Sequence, residues 1–311
     1  MNQRTLLLVA ALFVILVCVS QAQAQALRTY VAVAGNDAND CSFPTPCRTF
    51  AGAVPNTAPG GEITALDSGA YGVVTINKAL TLQAAPGAHV SLGDGIAASA
   101  VTINAGASDV IVLRHLHISH TGRPSRGIEF TSGGTAGGLH IESCVVTGFP
   151  NTGIRFIADD DCDANGCPEL FVKDTIVRNN GKGIHFFGGF ASLDHCRIED
   201  NTTGVYVDVQ SRMVTIRDSV IASNRSYGLF ADVYSATTLE NCAVTRNGTG
   251  LQASGIGPPF NAYGKFFVSN TLIVGNTTGL SPGGGYIVSF GNNRITANTT
   301  NGSFTSTILP Q

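Results

Sequence analysis

Short aliphatic runs recur along the chain and alternate in polarity, as in Val73-Val74-Thr75-Ile76, Leu80-Thr81-Leu82 and Val101-Thr102-Ile103. That period of two is a strand signal, and no segment sustains the 3.6-residue apolar period of a helix beyond a turn or two. In the C-terminal half an Asn and a Gly punctuate the runs: Asn180 with Gly183, Asn201 with Gly204, Asn224 with Gly228, Asn247 with Gly250, Asn276 with Gly279, and Asn298 with Gly302. The glycines lie 21, 24, 22, 29 and 23 residues apart. Self-similarity at this period marks a solenoid.

Aligned on these Asn residues, the coils show three aliphatic rows. One runs Ile118, Val146, Val177, Ile198, Ile221, Val244, Ile273 and Ile295. A second follows each Gly: Ile128, Ile154, Ile184, Val205, Leu229, Leu251 and Leu280. A third runs Leu113, Ile141, Val172, Leu193, Ile216, Leu239, Val268 and Phe290. Between the third and first rows lies a position held by Leu116, Cys144, Thr175, Cys196, Ser219, Cys242 and Thr271. Three short strands per coil, each with an inward aliphatic, predict an all-β, single-stranded parallel β-helix whose coils stack at ~4.8 Å. The longer insertions, Ala158 to Pro168 and Ser254 to Gly264, follow the Gly-led strand, so one face carries the long loops.

Tyr30-Val31-Ala32-Val33-Ala34-Gly35-Asn36-Asp37, followed by Pro46-Cys47-Arg48-Thr49-Phe50-Ala51, resembles the opening of right-handed β-helix proteins of the pectin-lyase-like superfamily. Ser289-Phe290-Gly291-Asn292-Asn293-Arg294-Ile295 is similar to the end of a secreted bacterial β-helix family. The resemblance covers nearly the whole chain after its leader and implies a right-handed coil with a short helix near Thr49 to Val54 plugging the core. It speaks for fold and little for activity, because function lives in sites grafted on folds.

The expected organisation is a signal peptide at 1–26, an N-terminal cap segment at 27–61, the β-helix at 62–302 and a tail at 303–311. Arg4, the apolar run Leu6 to Val19 and the small-residue sites around Ala22, Ala24 and Ala26 make the leader secretory. No second apolar run is long enough to span a membrane, so a secreted, periplasmic or envelope location is expected. A net charge of −3 without a basic stripe argues against nucleic acid.

The candidate chemistry is modest. The Asn row reads as an inward amide ladder. Its other reading is glycosylation, since Asn201, Asn224, Asn247, Asn276, Asn298 and Asn301 all fit Asn-x-Ser/Thr. An outward column alternates in sign: Arg114, Glu142, Lys173, Asp194, Arg217 and Glu240, then Ser269. Opposite charges on adjacent strands stabilise one another, so this column reads first as a charge ladder. In the pectate lyases of the resembled superfamily this face carries a calcium-dependent cleft. That resemblance implies Lys173 or Arg217 as a base and Glu142, Asp174 and Asp194 as substrate-binding carboxylates.

The loop Asp159 to Glu169 places Asp161, Asp163 and Asn165 at alternate positions before Gly166. That pattern matches half of a calcium loop, but position twelve is Val172 instead of Glu. The loop is therefore either a weak calcium site or a solvated acidic turn closed by Cys162 and Cys167. Cys41 and Cys47 are close enough in sequence to bridge in the cap. Cys144, Cys196 and Cys242 fall on alternate coils, ~9.6 Å apart, too far for disulfides and expected to be free. His115, His117 and His120 share one coil and read as surface residues or a metal cluster. Polygalacturonase motifs are missing.

Two functional classes follow: a polysaccharide-binding or structural surface protein, with aromatics such as Tyr206, Phe230 and Tyr234 on the long coil face, and a calcium-assisted lyase of acidic glycans. A third reading is a protein-contact module that associates through its C-terminal end.

Overall fold

The computed structural model describes residues 25–308 apart from Asp94, Ala107, Thr121, 133–136, 159–165, Gln210 and Arg212. The signal segment lies outside them except for its last two residues. Among the described residues the chain winds through three parallel sheets of 12, 10 and 9 strands, named here A, B and C. Each coil visits A, then B, then C. No helix of the described residues is long and apolar enough to cross a membrane.

The three aliphatic rows face inward and stack in register. Ile118, Val146, Val177 and Ile198 are consecutive partners in sheet B. Ile128, Ile154, Ile184 and Val205 are consecutive partners in sheet C. Leu113, Ile141, Val172 and Leu193 do the same in sheet A. All twelve are buried to within 1 % of full. Sheet C adds an inward stack of rings: Phe130 lies on Phe156 at 4.5 Å and Phe156 on Phe186 at 5.4 Å, both nearly coplanar. A parallel stack alone buries each strand's apolar face, which is why no single coil would hold its shape.

The corner between sheets B and C carries the amide ladder. Asn180, Asn201, Asn224, Asn247 and Asn276 are at most 4 % exposed. At Asn247 the N–H and Nδ2 both donate to Asn276 Oδ1, at 2.8 and 3.0 Å, and Nδ2 also donates to the Ile221 carbonyl at 3.1 Å. Its Oδ1 accepts from the N–H and Nδ2 of Asn224, both at 2.9 Å. The residue before each rung is left-handed, as at Asn179, Asp200, Ser223 and Arg246, which makes the corner tight. The row of glycines lets coils approach there: a Cβ on Gly204 would sit 2.5 Å from the Gly228 carbonyl oxygen. Phe149 heads the ladder, its N–H donating to Asn180 Oδ1.

Two end positions depart from the expected register. Asn301, not Gly302, occupies the place after Gly279, because a Cβ there would meet the Asn301 carbonyl. Asn301 Oδ1 accepts from Asn298 Nδ2 at 3.0 Å and so closes the ladder. Val268 pairs with Ser289 and not with Phe290. The buried Ser289 hydroxyl is tied by the Gly291 N–H and by Asn293 Nδ2, so a polar residue is tolerated inside.

The two ends differ. At the N-terminus a helix at Phe50–Ala53 is capped by Thr49 and buries Phe50 against Tyr71. The Asp37 carboxylate accepts from the N–H groups of Arg48 and Thr49 and holds the cap loop, and Cys41 and Cys47 form a disulfide. At the C-terminus Ser306–Thr307 adds a last strand to sheet A, and Phe304 packs against the core.

Candidate functional site

The outward face of sheet A combines charge with exposed apolar surface. The predicted column is there in register: Arg114, Glu142, Lys173, Asp194, Arg217 and Glu240 are successive partners. Only the first step closes as an ion pair among the described residues, Arg114 Nε to Glu142 Oε2 at 2.8 Å. Lys173, Arg217 and Glu240 are exposed. Alignment on a strand therefore does not by itself join the charges; in water the long side chains lose more freedom than a screened pair returns.

Beside the column run two further outward columns. One holds Glu169, Phe190 and Met213; the other holds His140, Phe171, Ser192 and Thr215. Phe171, Phe190 and Met213 are 36 %, 42 % and 44 % exposed, large values for such side chains. They line a shallow depression of about 200 Å³ with Glu169, Ser192 and Thr215. His140 stacks on Phe171 at 4.6 Å. Burial holds the His140 imidazole below its ordinary pKa, with Arg114 adding to the effect and Glu142 and Glu169 opposing it. The sequence held the signal for this track: Phe171 lies two residues before Lys173, and Phe190 and Met213 lie four before Asp194 and Arg217. Period-two counting outward from the charge column finds all three.

The other candidates separate. Asp174 lies off the face, at the corner between sheets A and B, with φ 48°. His115, Ser143, His195, Asp218, Asn241 and Asn270 occupy the same left-handed position on their coils. Asp, Asn and His tolerate that conformation better than most residues, so Asp174 serves the turn. Glu142 and Asp194 are two coils apart with Lys173 between them, and the three expected carboxylates form no common cluster. Asp161, Asp163, Asn165 and Cys162 lie outside the described residues, and Cys167 is disulfide-bonded. Cys144, Cys196 and Cys242 are free and buried. Burial pushes their thiols up, to about 12, 12 and 11.

Calcium, implied by the superfamily resemblance, finds a poor fit in the described residues. Asp194, His195 and Asp218 are the group whose ligand atoms lie within 4.8 Å of one another. Calcium takes about 6–8 oxygen ligands, and this set offers two carboxylates and an imidazole on an exposed corner. His195 Nδ1 already pairs with Asp194 Oδ1 at 2.9 Å, and Asn241 Nδ2 donates to Asp218. His115, His117 and His120 do not converge either. His117 instead pairs with His89 of the preceding coil at 2.8 Å.

Tyr206 and Phe230 lie on sheet C, not on the charged face. They stack at 5.1 Å, with Lys182 over the Tyr206 ring and Tyr206 donating to Asp232. His185 pairs with Asp208 at 2.8 Å. Burial opposes ionisation of Asp208, but the His185 hydrogen bond, the Val209 N–H and the charges of His185 and Lys182 outweigh it and lower its pKa. These groups satisfy one another.

Comparison with known proteins agrees with the coil geometry. A family described as a right-handed β-helix region matches residues 203–308. The crystal structure of pectate lyase Pel9A superposes with a TM-score of 0.58 at 14% identity, over 93% of this chain and 77% of the lyase. An alginate lyase from Paenibacillus sp. str. FPU-7 superposes with a TM-score of 0.61 at 10% identity, over 91% of this chain and 98% of that one. The chain has the right-handed parallel β-helix fold that these structures share. No curated protein matches the sequence. Within this fold the outer face of sheet A stands out, because exposed rings and exposed charges meet there.

Proposed function

We propose that this is a secreted or envelope β-helix protein that binds polysaccharide along the outer face of sheet A. The carrying observation is the exposed track Phe171, Phe190 and Met213 beside Lys173 and Arg217, two exposed cations with no ion-pair partner among the described residues. A pyranose ring has an apolar C–H face and a polar rim. An aromatic and aliphatic strip flanked by charges and hydroxyls suits both, and large side chains of this kind dominate contact energies. The two lyases that share the fold are, by name, enzymes of pectate and alginate. Binding is favoured over lysis because each basic residue of the column is flanked by a carboxylate and the carboxylates do not converge on one point.

Isothermal titration with soluble acidic and neutral polysaccharides tests the proposal, comparing the wild type with a Phe171→Ala/Phe190→Ala variant. The expected result is binding that weakens at least tenfold in the variant. Equal affinities, or no binding by the wild type, would refute it. Release of unsaturated sugar, followed by ultraviolet absorbance and lost in Lys173→Ala or Arg217→Ala, would replace binding with the lyase reading.

A further inference from the structure

We infer that the glycan held by this face carries its acidic groups on alternate sugars and not on every sugar; this rests on the polysaccharide reading above. Successive strands of sheet A lie ~4.8 Å apart, and an extended linear glycan advances by roughly one such spacing per pyranose. A chain lying along the helix axis therefore meets about one residue of the charge column per sugar. The apolar track runs in the same direction, with Phe190 and Met213 on consecutive strands and Phe171 one coil before. Sugars stacked on it are thereby aligned with Lys173, Asp194, Arg217 and Glu240.

The sign of each position then decides what fits. Lys173 and Arg217 are two coils apart, with Asp194 between them and Glu240 after them. Glu142, before Lys173, is already engaged by Arg114 at 2.8 Å. A homopolymer of uronate whose rings all present the same edge to the face places one carboxylate opposite every coil. Two of its four carboxylates then meet Lys173 and Arg217, and the other two meet Asp194 and Glu240. At contact distance the attractive and repulsive pairs are of similar size and opposite sign, so they cancel. A glycan with uronate on alternate sugars places carboxylates only at Lys173 and Arg217. Its intervening neutral sugars, such as N-acetylated amino sugars, present N–H and O–H donors to Asp194 and Glu240. The Asp194 carboxylate accepts from His195 at one oxygen and has a second to offer. The alternation that looks like a structural ladder in the sequence thus acts as a filter on charge spacing.

Surface-bound wild type is titrated with three probes matched in length: hyaluronan or unsulfated chondroitin, polygalacturonate, and a neutral linear glucan. The expected order places the alternating glycan at least tenfold tighter than either of the others. Asp194→Asn and Glu240→Gln, each checked for an unchanged melting temperature, should raise polygalacturonate affinity several-fold and leave the alternating glycan no better bound. Polygalacturonate binding as tightly as the alternating glycan would overturn the inference and leave the polysaccharide reading standing. Equal binding of the neutral glucan would also overturn it, by showing that charge plays no part. No binding of any probe would overturn both.

Discussion

Two columns in this protein are built to one plan and have opposite fates. The Asn ladder and the charge column each place one residue per coil at a fixed register, and each reads in the sequence as a periodic row. Inside, every central rung is dry and bonded to both neighbours, as at Asn247. Outside, six aligned charges yield one ion pair along the column among the described residues. The coil sets the alignment; burial sets the energy. An amide removed from water must find its partners in the protein, whereas a solvated charge has water and salt as alternatives. The same difference leaves the outer column open to a ligand.

The largest predicted effect comes from breaking the inner column at its centre. Asn247→Ala leaves Asn224 without its acceptor and should cost about 1–3 kcal/mol, read as a fall in denaturant midpoint at unchanged slope. An unchanged midpoint, or a glycan attached to Asn247, would contradict the ladder. Moving the same substitution to the end sharpens the point. Asn298 is only partly buried and its acceptor is the exposed Asn301. Asn301→Ala should cost less than about 1 kcal/mol, because water can replace the bonds it accepts from Asn298.

In the outer column, Lys173→Glu places like charges beside Glu142 and Asp194. The expected loss of stability is below ~1 kcal/mol and shrinks further in high salt, while acidic-glycan affinity falls. A large loss of stability with unchanged binding would reverse the assignment of the two columns.

The smallest effect at neutral pH is expected at Cys196, where Ser219 and Thr271 occupy the same inward position on later coils. Cys196→Ser should be nearly neutral there. The native thiol is raised from 9.0 to about 12, so its contribution is fully present below pH 9 and is lost as pH rises toward 12. The wild type should therefore lose stability faster than the variant above pH 9, in denaturant titrations run at pH 8, 9.5 and 10.5. Parallel curves would show that this thiol ionises freely in the native state.

Much of the fold was legible because the period is carried by residues with a single physical requirement. Aliphatics at Ile198 or Val205 must be inside, and an Asn before a tight corner must be bonded. The register failed only at the last coil, where Asn301 and Ser289 hold positions expected for Gly302 and Phe290. At Asn301 no further strand of sheet C follows among the described residues, so the steric demand for Gly weakens, and at Ser289 the bonds from Gly291 and Asn293 let a polar residue stand inside. The candidate site was less legible. Outward positions tolerate many residue types, so Phe171, Phe190 and Met213 share no letter and form no row by eye. Asp174 resembled a cleft carboxylate because sequence shows its charge but not its left-handed backbone. Tyr206 and Phe230 were placed on the wrong face for a similar reason: an exposed aromatic belongs to whichever sheet its strand joins.

The most direct test measures coupling in both columns. Double-mutant cycles on Asn224 with Asn247 and on Lys173 with Asp194 isolate the pairwise energies from everything else each residue does. The expected coupling is about 1 kcal/mol or more for the buried amides and below ~0.5 kcal/mol for the charges, falling toward zero in high salt. Equal couplings, or a stronger one between the charges, would contradict the claim that burial, not alignment, separates the two columns.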